Sequence, residues 1–196
     1  MEQQPNHPAG EQPGEEHEGE DPKPKVYIAS LADYNAGRLH GAWIDAAQDP
    51  EELAAAAQTM LAASPTPFAE EYAIHDFEGF GPLRLSEYQS LETVSLVAQG
   101  IAEHGAVFAH WATLVDELTP DALNRFKEAY RGHHACVADY ANELLEDLGA
   151  WRELEPQWLQ PYLQIDVEGF ARDLELSGDV LTSEGDDGVY IFEGGL

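Results

Sequence analysis

The sequence predicts an α+β fold, arranged as a chain of three small units. Three observations predict it. Short β-branched and aromatic runs alternate with amphipathic helical stretches, and the chain closes on two strand-like runs, DVLTS and GVYIF, across the turn EGDDG. Hydrophobic residues make up 43% of the 196 positions and aromatics 10%, enough to bury a core.

Residues 1–24 are rich in Pro, Gly, Gln and Glu and lack Val, Ile, Leu and aromatics, so they read as a disordered acidic tail. From Lys25, VYIASL is a strand, and RLHGAWID alternates as a second strand across a DYNAG turn, forming a hairpin. Asp49 then caps a helix with Pro50 first and Glu51 and Glu52 in its opening turn, and Leu53, Ala57, Met60 and Leu61 form its inner face. SPTP ends that helix, and EEYAIHDFEGF is a third strand. The first unit is therefore ββαβ, over 25–84.

The middle unit, 85–132, is helical. Val94, Val97, Ala98 and Ile101 make one stripe, HGAVFAHWATLV a second helix, and Thr119-Pro120-Asp121 opens a third with Leu123, Phe126 and Tyr130 inward. In the last unit, 133–196, a longer helix runs from His134 to Leu148 on Val137, Tyr140, Ala141, Leu144 and Leu148, ending at Gly149. WLQPYLQIDVEGFARDLELSG reads as mixed short elements before the final hairpin.

The composition is dominated by 38 Asp and Glu against 9 Lys and Arg, a formal charge of -29. The tail holds seven of the acids and one base, Lys23, so the rest of the chain keeps about -23. Such a surface is repelled by nucleic acid and by anionic lipid, and no apolar run is long enough to cross a bilayer. The single cysteine, Cys136, forms no intrachain disulfide, and the first residues have neither a basic n-region nor an apolar h-region. A cytoplasmic protein is expected.

Enzyme-like constellations are weak. His133, His134 and Cys136 are the closest group of metal-ligand types, but HHxC does not put three ligands on one helical face, and no second pair stands at a zinc spacing. His104 with His110, His40 and His75 read as packed or solvated. EGDDG fits no calcium-loop register, because neither Gly185 nor Gly188 as the sixth position puts acids at the first, third and twelfth. Cys136 reads as a core thiol. Nucleotide-binding and nucleophile-elbow motifs are absent. No catalysis, metal or cofactor is expected.

The acids are the informative feature. Asp139, Glu143, Glu146 and Asp147 fall at i, i+4, i+7 and i+8, one stripe with no Lys or Arg in the same helix. Like charges at that spacing cost a helix a few tenths of a kcal/mol per pair. Acids four residues apart are separated by about 6 Å of rise, a phosphate-like spacing. Duplex DNA carries one charge per about 1.7 Å, so about 23 charges correspond to about 40 Å of duplex. These features predict a decoy that draws in a DNA-binding protein through its phosphate-tracking surface, with Glu70, Glu71, Asp76, Glu78, Glu87, Glu92, Asp139, Glu143, Glu146 and Asp147 as the acidic target-binding face.

YIASLADYNAGRLHGAW, EEYAIHDFEGFG and GFARDLELSGD, in that order, resemble ArdA-type antirestriction proteins over about 25–196. The resemblance implies an elongated three-part homodimer that imitates bent B-form DNA and occupies the DNA-binding groove of type I restriction–modification enzymes. It also implies carriage on mobile genetic elements and action in a bacterial cytoplasm. Tyr34, Asn35, Gly37, Leu39, Gly41 and Trp43 match the first motif, as hairpin geometry and core. Phe170, Ala171, Arg172, Asp173 and Leu174 match the C-terminal stretch tied to antirestriction, near the dimerisation region that 133–196 is expected to hold. The tail, SPTP and Ile165-Asp166-Val167 depart from the pattern. Two other readings of the acidity stay open: a binding module for another basic DNA-binding protein, and halophilic adaptation of a protein with an unrelated function. An unrecognised hydrolase would need a compact, water-excluding pocket.

Overall fold

Strand β1 (Lys25–Ser30) is the centre of an antiparallel sheet of order β2-β1-β3, with β2 at Gly41–Asp45 and β3 at Tyr72–Glu78. The computed structural model describes residues 23–149, 158 and 164–195. The expected tail lies outside the described residues except for Lys23 and Pro24. Pro24 is buried, and its carbonyl accepts from Ala46 N–H at 3.0 Å.

Val26 and Ile28 of β1 point to the core with no exposure, while Tyr27 points to the opposite face and meets Trp43 at 5.6 Å. A β-carbon on Gly41 would come within 2.6 Å of the Ile28 carbonyl and 2.8 Å of the Tyr27 ring, which is why glycine stands there. The β1–β2 connection is not the tight turn the sequence suggests. It contains a short helix, α1 (Leu31–Asn35), because the Ser30 hydroxyl accepts the Asp33 N–H at 3.3 Å and starts a helical turn that Gly37 leaves at φ 72.

Helix α2 (Pro50–Ala62) buries Leu53, Ala57, Met60 and Leu61, as their spacing predicts. Helix α3 (Leu91–His104) is capped by Ser90 and packs Val94, Val97, Ala98 and Ile101 inward. Gly105, at φ 77, turns the chain into α4 (Ala106–Leu114), and Phe108 of α4 lies so close to Gly100 that a β-carbon there would collide with its ring.

Thr119 does cap the next helix, but the helical segment stops short of Tyr130. It divides into α5 (Pro120–Asn124) and α6 (Phe126–Ala129), and the chain then extends as β4 (Tyr130–His134). Pairing decides this segment. β4 joins a second antiparallel sheet of order β4-β6-β5, formed with β5 (Val180–Gly185) and β6 (Gly188–Glu193). His133 and His134 are therefore strand residues, and the helix expected from His134 starts later, as α7 (Val137–Asp147).

On α7 the buried residues are Ala141 and Leu145, whereas Leu148 is exposed. FARDL is not part of mixed short elements but of one regular helix, α8 (Val167–Ser177). Asp166 caps it through Gly169 N–H at 2.9 Å, and Gly178 ends it in the left-handed region. Most of WLQPYLQ lies outside the described residues. The closing hairpin forms as read, turning through Asp186 and Asp187.

The larger apolar core runs without a break from β1 through α2, α3, α4 and α6 to Phe192. A smaller one joins Ala141 of α7, Ala171 and Leu174 of α8, and Val180, Val189 and Ile191 of the hairpin. Strand β6 divides the two cores, with Val189 and Ile191 facing α7 and α8, and Tyr190 and Phe192 facing the other way. No described helix is long and apolar enough to cross a membrane.

Candidate functional site

All ten acids of the expected face are exposed: Glu70, Glu71, Asp76, Glu78, Glu87, Glu92, Asp139, Glu143, Glu146 and Asp147. Lys25 pairs with Glu78 at 2.9 Å, and His134 stands 3.7 Å from Glu143. Among the described residues the other eight have no Lys, Arg or His within ion-pair distance.

Helix electrostatics sorts these acids. A carboxylate in a first turn meets the positive end of the helix dipole and stabilises the helix, which accounts for Glu92 on α3 and Asp139 on α7. Glu146 and Asp147 close α7 at its negative end, and the last turn of the helix holds no basic residue; Asn142 donates to Glu146 at 3.0 Å, but that group is neutral. Helix stability does not explain these two.

The fold also assembles acids that the sequence reading left out. Asp49, Glu51 and Glu52 at the start of α2 converge with Glu92 at the start of α3 around an open groove of about 750 Å³ that no base lines. Their separation of about forty positions in the chain conceals the cluster; only the packing of α2 on α3 brings it together. Glu184, Asp186 and Asp187 similarly gather at the β5–β6 turn, beside a cavity of about 500 Å³ that includes His110, His133 and Tyr190. There, burial pushes the His110 imidazole below its usual range, Asp186 pulls it back by less, and Nδ1 lies 2.8 Å from the Ser183 hydroxyl.

Three other described histidines have packing partners. His40 Nε2 meets the Met60 carbonyl at 2.8 Å, His104 stacks on Phe126, and His75 meets Tyr34 edge-on. Cys136 is exposed at the N-cap of α7, not in the core as its neighbours suggested, because the helix begins one residue after it. Among the described residues no group of three or more His, Cys, Asp and Glu is arranged to hold a metal ion.

The two motif regions divide by face. On α8, Ala171 and Leu174 are buried against α7, Phe170 is half-buried, and Arg172 and Asp173 are exposed. In the first motif, Tyr34, Leu39 and Trp43 are exposed, which corrects the expectation that they are core; Leu39 precedes β2, and Trp43 belongs to the outer face of the sheet.

The buried exception is Asp33, which has no exposed surface. It accepts from Arg38 Nε at 3.1 Å and from the hydroxyls of Ser64 and Thr66. Burial alone would raise its pKa; the hydrogen bonds from Ser64, Thr66, Ser30 and Arg38 outweigh it and hold the carboxyl far below the usual range.

The molecule is thus an acidic α+β protein whose conspicuous surface feature is a set of exposed carboxylates, most of them unpaired among the described residues. Residues 26–187 match the family model described as Antirestriction protein (ArdA), and the chain belongs to that family. Comparison with curated proteins gave no match.

Proposed function

We propose that the protein is a DNA mimic that inhibits type I restriction–modification enzymes stoichiometrically by occupying their DNA-binding groove. The observation that carries this reading is the carboxylates that folding does not account for, above all Glu146 and Asp147 at the negative end of α7. Membership of an antirestriction family supports an inhibitory role, and the exposure of all ten acids supports an electrostatic one. A groove lined with Lys and Arg attracts such a surface for the reason it attracts phosphate. In this reading two copies associate through the 133–196 unit and lengthen the charged face, and the protein acts without catalysis in a bacterial cytoplasm, carried by a mobile element.

Competition with labelled DNA for a purified type I enzyme tests it. Displacement at a 1:1 dimer-to-enzyme ratio is expected, with affinity falling steeply as salt rises. Neutralising Asp139, Glu143, Glu146 and Asp147 together should weaken inhibition and flatten the salt dependence, whereas replacing His133, His134 and Cys136 should leave both near the parent. Failure of the folded parent protein to displace DNA at moderate salt overturns the reading. Capture of a different basic DNA-binding protein under the same conditions would reassign the target.

A further inference from the structure

Three large apolar side chains stand in solvent at one end of the first sheet, where β1 finishes and both β2 and β3 begin: Tyr34, Leu39 and Phe68, with exposures of 56%, 89% and 94%. The topology puts the segments that carry them at the same end of the sheet. Ser30 N–H donates to the His40 carbonyl at 2.9 Å on one side of β1, and Leu31 N–H to the Glu71 carbonyl at 3.0 Å on the other. The loops carrying Leu39 and Phe68 are then fastened to each other, because Arg38 bonds both Asp33 and the Thr66 hydroxyl while Asp33 accepts from Ser64 and Thr66.

Single exposed apolar residues are ordinary on a protein surface. Two features set these apart. Phe68 is held at φ 61, the only non-glycine at positive φ among the described residues, a conformation that costs energy for a bulky side chain. In addition, the loops are pinned to a fully buried carboxylate, so the rings are presented by a fixed platform.

The surroundings of the tip indicate what it meets. Glu70 and Glu71 are exposed next to Phe68, and Asp76 is exposed further along β3. Arg38, the base in this region, is committed to Asp33. An apolar tip with an acidic border is complementary to an apolar depression with a basic border.

We propose that Tyr34, Leu39 and Phe68 form an apolar anchor that seats in a depression on the target enzyme bordered by Lys and Arg, an inference that rests on the decoy reading above. The acids supply attraction that salt screens. The anchor supplies a contact that salt does not screen and that a DNA backbone cannot offer, which lets the inhibitor hold on where DNA is displaced.

The test pairs Leu39→Ser with Phe68→Gly in the full chain. Glycine adopts φ 61 freely, so this variant should melt no lower than the parent while binding the type I enzyme about tenfold or more weaker, in line with the loss of one to two buried side chains. The slope of log affinity against log salt should not change, in contrast to Glu146→Gln with Asp147→Asn, which should flatten it. Unchanged affinity of the Leu39/Phe68 variant, with a parent that displaces DNA, overturns the anchor and leaves the decoy reading intact. A parent that displaces no DNA overturns both. Loss of self-association in sedimentation, with enzyme affinity unaltered, assigns the tip to a second copy and also overturns the anchor.

Discussion

The two cores on either side of β6 are built differently. The larger one interlocks a sheet with several helices and encloses whole aromatic side chains, Phe80 and Phe192 among them. The smaller rests on alanines and a few aliphatic residues between α7, α8 and the hairpin, completed by half-buried Val137, Tyr140, Leu144 and Phe170. Yet the smaller region carries the four-acid stripe of α7. Among the described residues, charge repulsion thus falls on the side of the smaller apolar core. Stability and surface charge have been placed with different priorities in the two regions.

The largest effects should come from the strand the cores share. Phe192→Ala should cost about 3–5 kcal/mol and Ile191→Ala about 2–5 kcal/mol. Hydrogen exchange should separate them: the first loosening α3 and α4, the second loosening α7 and α8 before the rest. Uniform loss of protection in both variants would show the cores to be one cooperative unit.

A smaller effect is expected from Asp33, on the large-core side. Its native pKa lies below its unfolded value, so its contribution is complete above the unfolded pKa, about 3.9, and is lost as pH falls through the native one. Asp33→Asn should lower stability at neutral pH and make the acid limb of the stability–pH curve shallower, measured by denaturant titration from neutral to acid pH.

The smallest effects should differ in sign along α7. Glu146→Gln with Asp147→Asn should stabilise the protein by about 0.3–1 kcal/mol, and Asp139→Asn should destabilise it by a similar amount. All three changes should weaken inhibition. A variant that gains stability while losing inhibition would mark those carboxylates as retained for binding.

How much of this was legible in the sequence depended on the range of the interactions involved. The face of α2 is readable because its periodicity is local, and so are the stripe of α3 and the Thr119 cap of α5, as well as the closing hairpin. Strand β4 is not, because Tyr130 continues the helical spacing of Leu123 and Phe126, and only pairing with β6 some sixty positions later makes it extended. Starting the next helix at His134 follows from that one miss. The α7 acids were legible as a stripe, since a helix repeats predictably, whereas the Asp49, Glu51, Glu52 and Glu92 groove needed two helices to be packed. Leu39 and Trp43 read as core because an apolar residue at alternating spacing does not announce which face of a sheet is covered.

Strand β6 follows every other described element in chain order, and both cores need its side chains. During synthesis, then, the earlier elements leave the ribosome with their apolar faces only partly matched, and neither core is complete until residues 188–193 have emerged. For a chain so strongly acidic, mutual repulsion between unfinished copies is a ready safeguard over that interval: the charge proposed here to capture an enzyme would also keep nascent molecules apart.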